Sequence, residues 1–298
     1  MKEYLVFDIG GTNLKYALID EKNNLYYKGF KPTVSKDLSG FLNEIYSICD
    51  QYRGNYNGIA ISCPGKVDVQ NKIIYHGGAL PFLDGLNIQE KIGQRYHVPV
   101  SVENDGKCAA LAEQQYGVLR KTENGAVLVL GTGVGGGIVI NHHLLHGSHY
   151  QAGEVSFMKM QIGQNESKYN FGFIGSATEM IKKVNQVCNH SNLTDGLAAF
   201  EAINAHDLNA TRIFEDYCQN IAYLIVNIQA IVDLEKIAIG GGISAQPIVV
   251  ETIKSKYQTI YNEDQLLKTT LTPPIIERTR YGNEANLYGA LAALLNEN

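Results

Sequence analysis

Tyr4-Leu5-Val6-Phe7-Asp8-Ile9-Gly10-Gly11-Thr12-Asn13-Leu14-Lys15-Tyr16-Ala17-Leu18-Ile19 is the stretch on which the fold turns. An apolar run ends on an acid, meets a glycine pair and resumes as a second apolar run. A strand, a tight turn and a returning strand satisfy that order, because glycine opens the turn and the flanking runs are too short for helices. A second stretch has the same form: Ala126-Val127-Leu128-Val129-Leu130, then Gly131-Thr132-Gly133-Val134-Gly135-Gly136-Gly137, then Ile138-Val139-Ile140. Its Gly131-x-Gly133-x-x-Gly136 spacing formally matches a dinucleotide fingerprint, but that motif needs its glycines to open a helix, and here a strand follows. No Gly-Lys-Ser/Thr ends the run, so it is not a P-loop either. One pattern used once near the start of each half predicts a repeated α/β architecture.

Such turns can converge backbone N–H groups and the hydroxyls of Thr12 and Thr132 on an anion, although either turn alone also reads as an ordinary hairpin. Asp8 precedes the first turn and could hold a Mg2+-bound water near phosphates, since Mg2+ commonly takes one or two carboxylates beside substrate phosphates. Further on, a predicted strand Val98–Val102 runs through Glu103-Asn104-Asp105 into a predicted helix ending near Tyr116. Asn and Asp are preferred helix caps at such a junction. It is equally where a general base belongs, on the carboxyl edge of a strand with a helix N-terminus favouring the anion. A base there would take the proton from a hydroxyl that attacks phosphorus.

The rest of the chain bounds these readings. Its 298 residues suggest two domains at about 150 residues each. Helices are predicted around Leu38–Gln51, Ile88–Tyr96, Met180–Cys188, Asp207–Val232, from Pro247 and over Asn283–Leu295; strands are predicted at Gly58–Ser62, Ile73–Tyr75 and Lys236–Ile239. No stretch approaches 18 uninterrupted apolar residues, and the first residues lack a signal-peptide core, which predicts a cytoplasmic protein with no membrane partner. Lys+Arg 25 against Asp+Glu 30 gives a net charge of −5 with no basic run, which argues against nucleic acid as a partner. Cys49, Cys63, Cys108, Cys188 and Cys218 are odd in number and form no C-x-x-C pair, so reduced, mostly buried thiols are expected. His142, His143, His146 and His149 lie in a polar stretch expected to be a solvated loop, and no zinc-ligand spacing is present.

Asp8-Ile9-Gly10-Gly11-Thr12-x-x-Lys15, Glu103-Asn104-Asp105, Gly131-Thr132-Gly133-Val134-Gly135-Gly136, Ala152-Gly153-Glu154 and Ile239-Gly240-Gly241-Gly242-Ile243-Ser244 resemble, in this order, the motifs of the ROK sugar kinases. Ala285-Asn286-Leu287-Tyr288-Gly289-Ala290 extends the resemblance nearly to the end of the chain. It implies two actin-like (ribonuclease H-like) ATPase domains with a catalytic cleft between them. The smaller would take residues 1–117 with a C-terminal helix 283–298, and the larger 118–282. It further implies ATP- and Mg2+-dependent phosphorylation of a sugar hydroxyl by a homodimer. Asp105 resembles the family's catalytic base, and Asn104 and Glu154 its ligands for sugar hydroxyls. Asp8, Gly10, Gly11, Thr12, Lys15, Thr132, Gly133 and Gly135 resemble the phosphate and Mg2+ environment. Gly241 and Gly242 resemble the edge that accepts the adenine nucleoside.

The departures narrow the substrate. Many members follow Gly-Glu with x-Gly-His, whose His binds zinc and sugar. Here Val155-Ser156-Phe157 follows, and Gln161–Gly175 contains none of the family's zinc-loop cysteines, so no structural zinc is expected. Phe157 at the His position, with Ser62-Cys63-Pro64-Gly65 and Gly77-Gly78-Ala79, resembles the β-glucoside kinases, which phosphorylate the 6-hydroxyl of a β-linked disaccharide. On that resemblance Gly78 and Phe157 join the sugar-binding set, with packing in the core as the other reading of Phe157. Glucose, N-acetylmannosamine and fructose remain open, because an apolar contact discriminates by only about 1–3 kcal/mol. The family's sugar-sensing repressors carry an N-terminal helix-turn-helix, for which a phosphate turn beginning at Asp8 leaves no room. A catalytically silent sugar-binding protein is disfavoured by the intact Asp105.

Overall fold

In the computed structural model, which describes residues 2–34, 37–160 and 166–297, the opening stretch is a hairpin. Strand β1 (Glu3–Ile9) pairs antiparallel with β2 (Asn13–Asp20), from Glu3 opposite Asp20 to Ile9 opposite Leu14. There follow β3 (Leu25–Pro32), α1 (Leu38–Gln51), β4 (Ile59–Cys63), the short β5 (Lys66–Asp68), β6 (Ile73–Tyr75) and β7 (Leu86–Asn87), then α2 (Gln94–Tyr96), β8 (Val100–Asn104) and α3 (Asp105–Tyr116). The second hairpin is β9 (Gly125–Leu130) and β10 (Val134–Ile140), with β11 (His143–Leu144) after it. Helices α4 (Phe171–Ile174), α5 (Ala177–Val187), α6 (Gly196–Asn204) and α7 (Leu208–Val232) lead to β12 (Lys236–Gly240). The chain ends through α8 (Pro247–Glu263), α9 (Gln265–Thr270), β13 (Ile275–Arg278) and α10 (Ala285–Glu297).

The repeated pattern becomes two five-stranded sheets of matching order, β3-β2-β1-β4-β8 and β11-β10-β9-β12-β13. In each, the hairpin strands are antiparallel and the last three strands run parallel. Each sheet has its own core. Leu5, Phe7, Ile45, Ile61 and Val102 pack in the first, and Leu128, Phe171, Phe214, Ile221 and Ile237 in the second. Helix ends are closed by the residues that sequence rules favour: Asp37 accepts from Gly40 N–H at 2.7 Å, and Ser176 accepts from Glu179 N–H at 3.2 Å. No helix among the described residues is long and apolar enough to cross a membrane.

The chain forms two compact units. One comprises the residues up to Tyr116, Leu144–Ala152 and the residues from Glu284 on; the other comprises Gly117–His143 and Gly153–Asn283. In the first unit α10 lies against α3, and only glycine permits the approach: a Cβ on Gly289 would stand 1.8 Å from the Cys108 carbonyl oxygen. The placement of Leu144–Ala152 departs from a division that gives all of 118–282 to one domain. Side chains hold the segment on the first unit, where His146 Nε2 meets Glu103 Oε2 at 2.6 Å and Lys107 Nζ donates to the Tyr150 carbonyl at 2.9 Å. His142, His143 and His149 are exposed as expected of a solvated loop, but His146 is not, because that bond draws it inward.

Two further expectations shift. The strand expected at Val98–Val102 runs Val100–Asn104: Pro99 has no amide to donate, and its carbonyl accepts from Ile59 N–H at the strand's entry. The helix expected over Ile88–Tyr96 opens as a wider π-type turn, Gln89–Gly93, before α2.

Candidate functional site

In the first unit, three parallel strands align the predicted residues. The register sets Asp8 opposite Ser62, and Ser62 opposite Glu103. Asp8 and the Glu103-Asn104-Asp105 junction therefore share one carboxyl edge, two strand spacings or roughly 10 Å apart. That edge is where open α/β sheets bind ligands. Asp8 is buried. Its Oδ1 accepts from Ser62 Oγ at 3.1 Å and Asn286 Nδ2 at 3.0 Å, and its Oδ2 meets Lys15 Nζ at 3.1 Å. In the turn beyond it, Thr33 engages the carbonyls, its Oγ1 donating to Gly10 O at 2.6 Å and its N–H to Thr12 O at 2.9 Å. The amides of Gly11 and Thr12 make no hydrogen bond among the described residues, and both residues are exposed. Adjacent unsatisfied N–H groups of this kind suit an anion.

At the β8–α3 junction the two roles available to Asn and Asp are divided. Asn104 is the cap: its Oδ1 accepts from Lys107 N–H at 3.1 Å, while its Nδ2 donates to Gly65 O at 2.9 Å and its amide to Glu103 Oε1 at 2.8 Å. Asp105 opens the helix half-buried, its Oδ1 accepting from Gly106 N–H at 2.8 Å, where the helix N-terminus favours negative charge. Gly78 is exposed in the turn after β6, and a Cβ there would lie 3.3 Å from Pro64, so it adjoins the loop that holds Asn104. Beneath this edge, burial pushes the Cys63 and Cys108 thiols well up, and the charges of nearby carboxylates add to it, so both stay neutral and pack as small apolar groups.

In the second unit, Gly131 N–H closes its turn on Gly133 O at 3.0 Å, and Gly131 O accepts from Ala177 N–H at 2.9 Å at the start of α5. Thr132 is exposed at the tip, and Gly135 lies in β10 opposite Val129. Gly241, just past β12, has φ +90°, and a Cβ on it would stand 2.1 Å from Leu130 O. This contact lets the end of β12 lie against the end of β9. A cavity of about 640 Å3 opens beside it, with Gly131, Thr178 and Gly242 on its wall and Leu197, Phe200 and Ile243 among its apolar lining. Apolar walls with a few polar groups suit a flat ring system. Thr132, Gly133, Gly135 and Gly241 do not line it, although Thr132 and Gly241 are chain neighbours of Gly131 and Gly242, and Gly133 O accepts from Gly131 N–H. Glu154 is half-buried and follows Gly153, whose φ is +82°. Phe157, three residues on, is 69% exposed, which overturns its reading as a core side chain. The stretch expected to lack a zinc loop falls partly outside the described residues, at 161–165. Among the described residues no three His, Cys, Asp or Glu side chains converge to hold a metal ion.

Sequence reasoning missed Ser62 and Asn286, which flank Asp8, Thr33, which occupies the turn carbonyls, and the buried pair of Glu103 with His146. An Asn at the head of a C-terminal helix is a faint signal. The others have none, because their partners are remote in the chain.

Residues 4–297 match the ROK family. The chain is 28% identical over 295 residues to a protein from Listeria innocua named beta-glucoside kinase, covering 98% of this chain and 97% of that one. Among solved structures, a ROK family protein from Streptococcus pneumoniae in complex with sucrose matches at 28% identity and a TM-score of 0.88, over 99% of this chain and 98% of that one. A ROK family glucokinase from Streptomyces griseus in complex with glucose and AMPPNP shares the fold, with a TM-score of 0.83 at 20% identity over 97% of each chain.

Proposed function

The chain belongs to the ROK family, and from that premise we propose that it is an ATP-dependent sugar kinase acting on the 6-hydroxyl of a hexose or β-glucoside. The observation that carries the reading is the division of labour at the β8–α3 junction. Asn104 satisfies the helix end, so the Asp105 carboxylate, at the carboxyl edge shared with the Gly11–Thr12 amides, can serve as base.

In this mechanism Asp105 accepts the 6-hydroxyl proton as that oxygen attacks the γ-phosphorus. The new O–P bond forms as the bridging bond to the β-phosphate breaks, and ADP carries the electron pair away. Asn104 and Glu154 hydrogen-bond sugar hydroxyls and fix the attacking oxygen. The Gly11 and Thr12 amides, Lys15 and the Thr132–Gly133 turn hold phosphate oxygens, with Gly10 and Gly135 shaping the two turns. The 640 Å3 cavity beside Gly242 takes the nucleoside. Mg2+ would neutralise charge on the transferring phosphates. Asp8 fits such an ion: Ser62 and Asn286 fill Oδ1, while Oδ2 meets Lys15 and keeps a lone pair for a metal-bound water.

Two things support a β-glucoside over a bare hexose: the exposed Phe157 ring three residues from Glu154 and the name of the Listeria relative. The sucrose held by the pneumococcal relative, whose glucose is α-linked, supports only room for a second sugar ring. The reading also carries a cytoplasmic homodimer, to be checked by light scattering. Coupled ADP release across hexoses, amino sugars and β-disaccharides tests the function. Turnover that is highest with cellobiose or gentiobiose supports it, and ADP release with no sugar on the panel overturns it.

A further inference from the structure

The segment Leu144–Ala152 leaves the second sheet at β11 and rejoins the second unit at Gly153, yet it packs with the first unit. It is a tight strap. Ala152 N–H closes on His146 O at 3.0 Å, with Gly147 at φ +75° and Tyr150 at φ +59° making the bends. Three side-chain bonds fasten it. His146 Nε2 meets Glu103 Oε2 at 2.6 Å, Lys107 Nζ donates to Tyr150 O at 2.9 Å, and the Tyr150 hydroxyl bonds the Asp68 carboxylate. The His146 and Tyr150 rings also meet edge to face, 6.3 Å apart.

Two of these bonds end on buried charges. The Glu103 side chain is 3% exposed and Lys107 is 1% exposed. A charge so placed needs its partners, since losing one leaves the other group uncompensated in a poorly solvated site. Both residues also bond Asn104: the Glu103 carboxylate holds the Asn104 amide through Oε1, and Lys107 holds Asn104 Oδ1 through its backbone N–H. The strap therefore grips the junction from both sides, although none of its residues is a substrate ligand in the proposed mechanism.

We propose that His146 and Tyr150 are positioning residues: His146 acting through Glu103, and Tyr150 through Lys107, fix the orientation of Asn104 and Asp105 for sugar binding and proton removal. Its catalytic arm rests on the sugar-kinase reading; its structural arm does not. Either Nε2–H form of His146 can donate to Glu103, and a glutamine amide N–H can replace it.

The test uses full-length His146→Ala, His146→Gln and Tyr150→Phe. Steady-state kinetics with ATP and cellobiose or glucose are paired with hydrogen exchange of the substrate-free proteins over residues 100–116. Misplacing a reacting group by about 1 Å can cost roughly 10²-fold. His146→Ala is expected to lower kcat about 10- to 100-fold and raise the sugar KM, with the ATP KM within about twofold of wild type. Exchange at 103–107 should quicken, and His146→Gln should restore both measures. Tyr150→Phe, a milder change that keeps the carbonyl, should shift kinetics and exchange in the same sense. Wild-type kinetics and exchange in His146→Ala overturn the proposal. So does a loss of activity with unchanged exchange at 103–107, or a loss that His146→Gln does not relieve. Should the wild type phosphorylate no sugar, the kinase reading fails alone, and the exchange arm still decides whether the strap orders the junction.

Discussion

Adding one methyl group at Gly241 probes how the second unit builds its nucleotide side. The backbone there has φ +90°, and an added Cβ would stand 2.1 Å from Leu130 O, 2.6 Å from Leu130 N and 2.7 Å from Leu130 C. Real Cβ contacts do not fall below 3.0 Å, so Gly241→Ala forces about 0.9 Å of movement. The obstacle is backbone, so no side chain can rotate away. At φ +90° and ψ 167° the backbone lies in an extended positive-φ region essentially open only to glycine, which costs an L-residue about 1–3 kcal/mol. Overpacking against a fixed strand end adds about 1–3 kcal/mol. The displacement is delivered to Leu130, the residue before Gly131-Thr132-Gly133, and therefore to the turn assigned to phosphates. Melting of purified Gly241→Ala should fall by roughly 5 °C or more for a loss of this size. A phosphate turn displaced by nearly 1 Å should raise the ATP KM or lower kcat by roughly 10- to 100-fold. Sugar affinity, measured by calorimetry without nucleotide, should stay near wild type. A variant with wild-type melting and ATP kinetics refutes the close approach of β12 to the end of β9 as the support of that turn.

Phe157→Ala should lower kcat/KM for cellobiose about tenfold more than for glucose, within the range an apolar contact discriminates, and leave melting unchanged because the ring is exposed; an equal loss for both sugars contradicts the stacking role. Asp20 tests stability against pH: burial raises its carboxyl, but hydrogen bonds from Asn24, Tyr26 and Lys22 outweigh burial and hold it at about 2. Its folded value lies below the unfolded value near 3.9, so the stabilisation is complete above about pH 4 and lost as pH falls through 2. Urea unfolding of Asp20→Asn should show a deficit of about 2 kcal/mol at pH 7 that narrows below pH 4, and a deficit independent of pH contradicts the assignment. Activity should vanish with EDTA, return with Mg2+ and survive a zinc-selective chelator; stoichiometric zinc in the purified protein contradicts this.

What could be read from the chain alone was local. The strand–glycine–strand pattern named both hairpins, because two short apolar runs around a glycine turn admit few other structures. The matching strand orders of the two sheets follow from that repetition. Edge strand β3 left no such trace: in Leu-Tyr-Tyr-Lys-Gly-Phe-Lys-Pro most residues are exposed, so no alternation of buried and exposed positions marks it. The site divides in the same way. Asp8, Asn104, Asp105 and the glycine turns stand in short motifs. Ser62 and Asn286 reach Asp8 from 54 and 278 residues away, and only the place of Asn286 at the head of a C-terminal helix hints at it. His146 was hidden for the same reason, since a polar stretch reads as solvated until the buried Glu103 is seen to need a donor.

The central claim is that Asp105 removes a proton from a sugar hydroxyl, and Asp105→Asn tests it most directly. The substitution keeps shape and removes the base. ADP release should be followed with ATP and cellobiose or glucose, beside sugar binding by calorimetry. The account predicts a fall in kcat of at least about 10²-fold with the sugar Kd within a few-fold of wild type. Turnover within a few-fold of wild type would contradict it.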